Sequence, residues 1–221
     1  MNELFFVSHI FLVVAFALLA LRYGKSSLIA FIALQAVLAN LFVVKQMSLF
    51  GFAVTCSDVF AIGGILALNL LQEYFGKEAA QQAVRISFLS LIFFACMSQL
   101  HLFYAPTPAD QTHSAFQAIF ASTPRIVIAS MTVFYLVQKI DIRLFGYLKL
   151  FIDKLPLRIG LSLLISQFLD TVLFSFLALY GLVESLFDII FVSFFIKCLI
   201  IATSSPLVAF SKRVVKRELS L

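Results

Sequence analysis

Seven long apolar runs, at 4–21, 27–46, 52–75, 82–105, 116–138, 157–180 and 184–210, constrain this chain more than any motif in it. A helix needs about 20 apolar residues to cross the hydrocarbon core of a bilayer. Within lipid every backbone N–H and C=O must be satisfied internally, which a helix achieves within its own segment. The runs therefore predict an all-α, polytopic membrane helix bundle of seven helices, folded as one domain over residues 1–221. Composition agrees: 62% of the residues are hydrophobic and 12% charged, with a mean hydropathy of +1.08. Soluble domains run about 45–50% apolar and about 25% charged. The first run, the shortest, resembles a secretory signal only superficially. It carries Glu3 and no Lys or Arg ahead of the apolar stretch, and Arg22 and Lys25 follow it. That order is the reverse of a cleavable signal, so this run is read as the first membrane helix.

Charges between the runs alternate. Arg22 and Lys25 occupy the first connection, Lys77 and Arg85 the third, and Lys139, Arg143, Lys149, Lys154 and Arg158 the fifth; Lys212, Arg213, Lys216 and Arg217 fill the tail. The other connections are nearly free of Lys and Arg, which predicts an N-out/C-in orientation. The net charge of +5 is thus topological, and the tail cluster suits anionic lipid head groups rather than a nucleic acid. In 139–156, Ile140, Leu144, Leu148 and Phe151 recur at helical spacing among charges, predicting a short interfacial helix on the membrane surface.

Four charges lie deep inside apolar runs: Asp58, Arg125, Asp170 and Lys197. A charge near the bilayer centre costs about 2.5–3.5 kcal/mol, so four left unpaired would cost roughly 10–14 kcal/mol. Two are acidic and two basic, so they are expected to face a protein interior or watery cavity and to neutralise one another there. Gln167 and Asp170 stand at i and i+3, which puts an amide and a carboxylate on one helix face; they serve either a ligand with several N–H groups or helix–helix packing. Arg125 follows Pro124, which is expected to loosen the fifth helix beside a cavity. Lys197 forms a buried Lys–Asp pair or touches ligand. Asp58 lines an outer mouth or reaches water, and Asn40 is a ligand contact or a link between helices. Gly63-Gly64 permits close helix approach or a break in the helix. Asn69, Gln72 and Glu73 share a face near a helix end that Gly76 terminates.

Enzyme signatures are absent from the sequence. His9, His101 and His113 are not paired with a deep serine, and neither HExxH nor a phosphate-binding loop occurs. Cys56, Cys96 and Cys198 are isolated and odd in number, read as small buried hydrophobes. No cofactor or metal is expected.

Several stretches together resemble the vitamin uptake transporter family, whose characterised members carry queuosine precursors. They are 40–45 with Leu49-Phe50-Gly51, 68–77 with Asn69, Gln72 and Glu73, 124–130 with Arg125, then Gln138 and Asp141, 166–171 with Gln167 and Asp170, and Lys197. In order they span about residues 27–206. Where Asn69 stands, the family pattern carries Asp. The resemblance implies import of a 7-deazaguanine (queuine, preQ1 or preQ0) across the inner membrane for tRNA queuosine salvage. It also implies six core helices, with the extra N-terminal helix peripheral to transport. Asp170, Gln167, Arg125, Lys197, Asn40, Asp58, Asn69 and Glu73 are then the expected substrate-binding residues. A carboxylate accepts from the guanine-like N–H edge, Gln167 or Arg125 meets its carbonyl, and an aromatic face stacks on the ring. Two other readings stay open at this point. One is a substrate-binding subunit served by a separate ATPase, and the other a membrane-embedded enzyme or assembly factor using the buried carboxylates. Homo-oligomerisation is also left open.

Overall fold

A computed structural model describes residues 1–120, 124–181 and 186–216, without the side chains of 53, 124–127, 179, 188 and 216. Helices α1 (Asn2–Arg22) and α2 (Lys25–Phe42) lead into a hairpin of β1 (Gln46–Leu49) and β2 (Phe52–Thr55). There follow α3 (Asp58–Phe75), α4 (Lys77–Leu102), a short α5 (His113–Phe120), α6 (Pro124–Leu148), α7 (Leu155–Phe174), α8 (Leu186–Leu207) and α9 (Ser211–Lys216). A π-helical turn, Ser175–Leu179, extends α7, and a 3₁₀ turn, Val208–Phe210, joins α8 to α9. This is an all-α bundle. Among the described residues, five stretches are long and apolar enough to cross a membrane: Asn2–Arg22, Lys25–Phe42, Lys77–Leu102, Leu155–Ala178 and Ile189–Val215. The protein is therefore a multi-pass membrane protein. Helices α3 and α6 are of comparable length, 18 and 25 residues, and carry many of its buried polar groups.

Helix α3 is the centre of the bundle, packing on α1, α2, α4, α6, α7 and α8. Every residue from Ile62 to Gln72 is buried, so this helix is enclosed on all sides and its polar groups meet protein rather than lipid. Gly63 is where α1 crosses it. A Cβ on Gly63 would collide with the Val13 side chain, so the approach anticipated at Gly63-Gly64 depends on the missing side chain. Gly76, at φ 85°, ends α3 and starts α4, as its terminator position predicts.

Two expectations change. The apolar run at 52–75 is not one helix: 52–55 pairs with 46–49 as a hairpin, and helix begins only at Asp58. Phe50 and Gly51 make its two-residue turn with φ of 51° and 84°, the left-handed pair that suits a tight hairpin. Apolarity alone does not separate a short strand from the end of a helix. Within the run at 116–138 the described residues form the end of α5 and the start of α6, and the expected loosening at Pro124 lies against 121–123, outside the described residues.

The interfacial helix expected over 139–156 is instead the continuation of α6 to Leu148, followed by the turn into α7. Its buried face holds Gln138, Asp141, Ile142 and Phe145, while Ile140 and Phe151 point outward. Lys139 and Arg143 stay exposed, so Asp141 alone leaves the charged face for the protein interior, where a carboxylate in a membrane helix is expected to point. Finally, α1 is packed into the bundle: Phe6, Ile10, Val13, Val14, Ala17 and Leu21 are buried, and Asn2 Nδ2 donates to the Ser48 carbonyl over 2.8 Å. Its role in transport is a separate matter, but structurally it is not an appendage.

Candidate functional site

One stripe of α7 organises the polar interior. Arg158, Ser162, Ser166 and Asp170 recur every four residues along it, with Gln167 and Thr171 alongside. Spacing of four keeps side chains on neighbouring ridges of one helix face. The stripe faces α3, α6 and α8, so each polar group meets a protein partner.

Near one end of the stripe, Lys197 Nζ on α8 donates to Asp170 Oδ2 over 2.7 Å. Lys197 is 5% exposed, so the pair is held away from bulk water, where its attraction is least screened. It borders a cavity of ≈190 Å³ lined by Asn40, Thr55, Asp58, Ser130, Asp170 and Lys197. These six come from α2, β2, α3, α6, α7 and α8, so the cavity is where the whole bundle converges. Asp58 lies in the first turn of α3, where the helix N-terminus favours negative charge. It is 8% exposed and makes no hydrogen bond or ion pair among the described residues. The charge on Lys197 acts on Asp58 as well as on Asp170. Among the described residues, one ammonium thus serves two carboxylates.

Asn40 takes the linking role open to it from sequence, at a position that lines the cavity. Its Nδ2 donates to the Ala36 carbonyl over 3.0 Å and its Oδ1 accepts from Ser130 Oγ over 2.9 Å, linking α2 to α6 at the cavity wall. Gln167 and Asp170 share a face as expected: both line an adjoining cleft of ≈40 Å³ beside Gln138 and Gly64. Gln167 is 1% exposed with its Oε1 unpartnered. A larger cleft of ≈1170 Å³ lies between α4 and α5, walled by Phe93, Phe94, Met97, Leu102 and Phe116. It contains none of the charges buried in the bundle.

The structure does not bring all the expected residues to the cavity. Asn69, fully buried, faces the carboxylate of Asp141, with neither amide atom in good hydrogen-bond geometry. Glu73 belongs to a second charged cluster at the opposite end of α3. There it pairs with the buried Arg158 and, over 3.1 Å, with Lys149. Arg158 also stacks on Phe145 at 4.8 Å and donates to the Ile152 carbonyl. From sequence Arg158 was one more loop charge; it is instead 3% exposed. Gln72 Nε2 donates to the Ile142 carbonyl over 2.8 Å, tying α3 to α6 beside this cluster. Arg125 stands in the first turn of α6, and its side chain lies outside the described residues.

Asp141 is the residue that sequence reasoning placed wrongly. It is fully buried, and its Oδ1 accepts from Ser162 Oγ over 2.6 Å and Ser166 Oγ over 2.7 Å. The signal was present in the four-residue spacing of Ser162, Ser166 and Asp170, which implies a polar partner on a facing helix.

A bundle of lipid-length helices closed around a charged cavity is the architecture of a membrane transporter. The family model described as "Putative vitamin uptake transporter" matches residues 55–211. The "Probable queuosine precursor transporter" of Bacillus subtilis (strain 168) is 30% identical over 178 residues, covering 78% of this chain and 78% of the relative. The chain belongs to the vitamin uptake transporter family and is a transporter rather than an enzyme. No solved structure matches it.

Proposed function

We propose that the protein imports a queuosine precursor, a 7-deazaguanine such as queuine, preQ1 or preQ0, across the cytoplasmic inner membrane for tRNA queuosine salvage. The name of the Bacillus subtilis relative supports the substrate class. The observation that carries the reading at this site is Asp58: a buried carboxylate with no hydrogen bond or ion pair among the described residues, beside the Asp170–Lys197 pair in a cavity reached by every core helix but α4. A 7-deazaguanine presents adjacent N–H donors and a carbonyl, which call for carboxylate and amide partners. Asp58 and Asp170 accept from the donors. Lys197 turns from Asp170 to the ligand carbonyl, Asn40 and Gln167 complete the polar contacts, and Phe134 or Phe174 in the cavity wall supplies a stacking face. At ≈190 Å³ the cavity suits a small planar heterocycle; pockets for drug-sized ligands begin at about 300 Å³.

In this reading the seven long helices cross the membrane with the N-terminus outside, following the alternation of loop charges. The cavity then lies towards the outer side and the Glu73–Arg158–Lys149 cluster closes the cytoplasmic side. The test is uptake of labelled queuine, preQ1 and preQ0 into cells that cannot synthesise them, with and without the protein. Protein-dependent entry of one of the three, followed by label in tRNA, is the expected result. Entry of none by cells with the protein correctly inserted would overturn it.

A further inference from the structure

Asp141 lines none of the cavities described above, and its surroundings are unusual for a carboxylate. It is fully buried between α6, α7 and α3. Both of its hydrogen bonds fall on Oδ1, from Ser162 and Ser166, while Oδ2 has no partner. The carbonyl oxygen of Gln138, one turn earlier on α6, is also buried and unpartnered.

No cation compensates Asp141 among the described residues. The elements packed against α6 are α3, α4 and α7. From α7 it meets the two serine hydroxyls and from α3 the Asn69 amide; α4 meets α6 through apolar and aromatic contacts such as Phe88 on Tyr135. The nearest charged groups along the facing helices are Glu73, one turn beyond Asn69, and Arg158 and Asp170, one turn either side of the serine pair. Each is already paired: Glu73 with Arg158, Asp170 with Lys197. Burying an ionised carboxylate without a cation costs far more than taking up a proton, so the group neutralises instead. With both serine donors on Oδ1, Oδ2 is the oxygen left to carry the hydrogen.

We propose that Asp141 is a proton-binding site and that import is driven by protons passing through it; this rests on the transporter reading. With α6 and α7 packed together the group is a neutral acid. When that contact opens to the cytoplasm, the Oδ2–H bond breaks, the proton passes to water and a carboxylate remains. On return, a hydronium proton from the outer side bonds to Oδ2 and releases water. One proton crosses per cycle and no electron moves. The connection to substrate runs along α7: Ser166 donates to Asp141, Gln167 follows it, and Asp170 lies one turn further into the cavity wall.

The test uses the full-length protein in liposomes, with labelled queuine, preQ1 and preQ0 assayed in turn. Counterflow at equal pH reports transport alone, and accumulation against an inward proton gradient reports coupling. Wild type should show counterflow, should accumulate label several-fold when the lumen is alkaline, and should lose that accumulation with an uncoupler. Asp141→Asn, which mimics the neutral acid, should keep counterflow and lose gradient-driven accumulation. Infrared spectra of the wild-type protein at neutral pH should contain a carboxylic-acid C=O band that Asp141→Asn removes. This arm stands even if a variant transports poorly. Absence of counterflow with all three precursors would remove the import reading and this proposal with it. Counterflow in wild type with no response to the gradient, accumulation retained by Asp141→Asn, or no Asp141-dependent acid band would overturn the proton role and leave import standing.

Discussion

Lys197 of α8 donates to Asp170 of α7 over 2.7 Å, on the wall of a cavity that also holds the carboxylate of Asp58. The pair closes α7 against α8, and among the described residues Lys197 is the cation that the two acids share. A ligand that engages the acids must compete with that ammonium, so binding and the α7–α8 contact are coupled through one side chain.

Replacing Lys197 with Met should therefore destabilise the protein strongly. Removing one member of a buried ion pair typically costs about 3–5 kcal/mol, because the other is left charged and unpaired. The thermal midpoint of the purified protein in detergent should fall, and Lys197→Met with Asp170→Asn should recover much of the loss without restoring uptake. A single variant as stable as wild type would contradict the pairing.

Asp58→Asn should behave differently. Asp58 has no partner among the described residues, so the fold should tolerate the change, while a bound 7-deazaguanine would lose its charged acceptor. A lost hydrogen bond to a charged group is worth about 1.5–3 kcal/mol, which corresponds to roughly 10- to 150-fold weaker binding at about 1.4 kcal/mol per tenfold. Isothermal titration with the transported precursor checks this, and unchanged affinity would remove Asp58 from the site.

Gly63→Ala places a methyl group where the Val13 side chain sits. Overpacking of this kind costs about 1–3 kcal/mol. Adding Val13→Ala should restore most of the stability, and the double-mutant cycle should show coupling between the two positions. Additive effects would mean that α1 does not cross α3 at Gly63.

At the other end of α3, Glu73→Gln should be far more damaging than Lys149→Ala. Arg158 is buried and depends on Glu73, whereas the Lys149 side chain is 52% exposed. Surface pairs contribute about 0–1 kcal/mol and buried ones several times that when broken. Equal losses in thermal midpoint for the two variants would argue against Arg158 as the partner that matters.

The bundle was legible because a long apolar run admits few alternatives, and the four deep charges pointed to an interior because lipid offers them nothing. Asp170 and Lys197 are joined as their opposite signs required. The hairpin at 46–55 was not legible, since Phe52, Ala53 and Val54 read equally as helix or strand. Asp141 is the exception in its stretch: Lys139, Arg143 and Lys149 are exposed and Asp141 alone turns inward, which its spacing among them does not reveal. Arg158 was counted as a loop charge because nothing local distinguishes a basic residue that sets topology from one that folds back over Phe145 onto Glu73. Asn69 and Glu73 belong to the expected site through the family resemblance, yet more than two turns of α3 separate Asp58 from either.

The most direct measurement of the central claim is uptake of labelled precursor by Asp170→Asn in cells unable to make it, with surface labelling to confirm insertion. Asn keeps the size and one acceptor but loses the charge that Lys197 pairs with and that the ligand's N–H edge requires. The expected result is normal insertion with uptake at background. Normal insertion with near wild-type uptake would contradict the assignment of Asp170 to the substrate site.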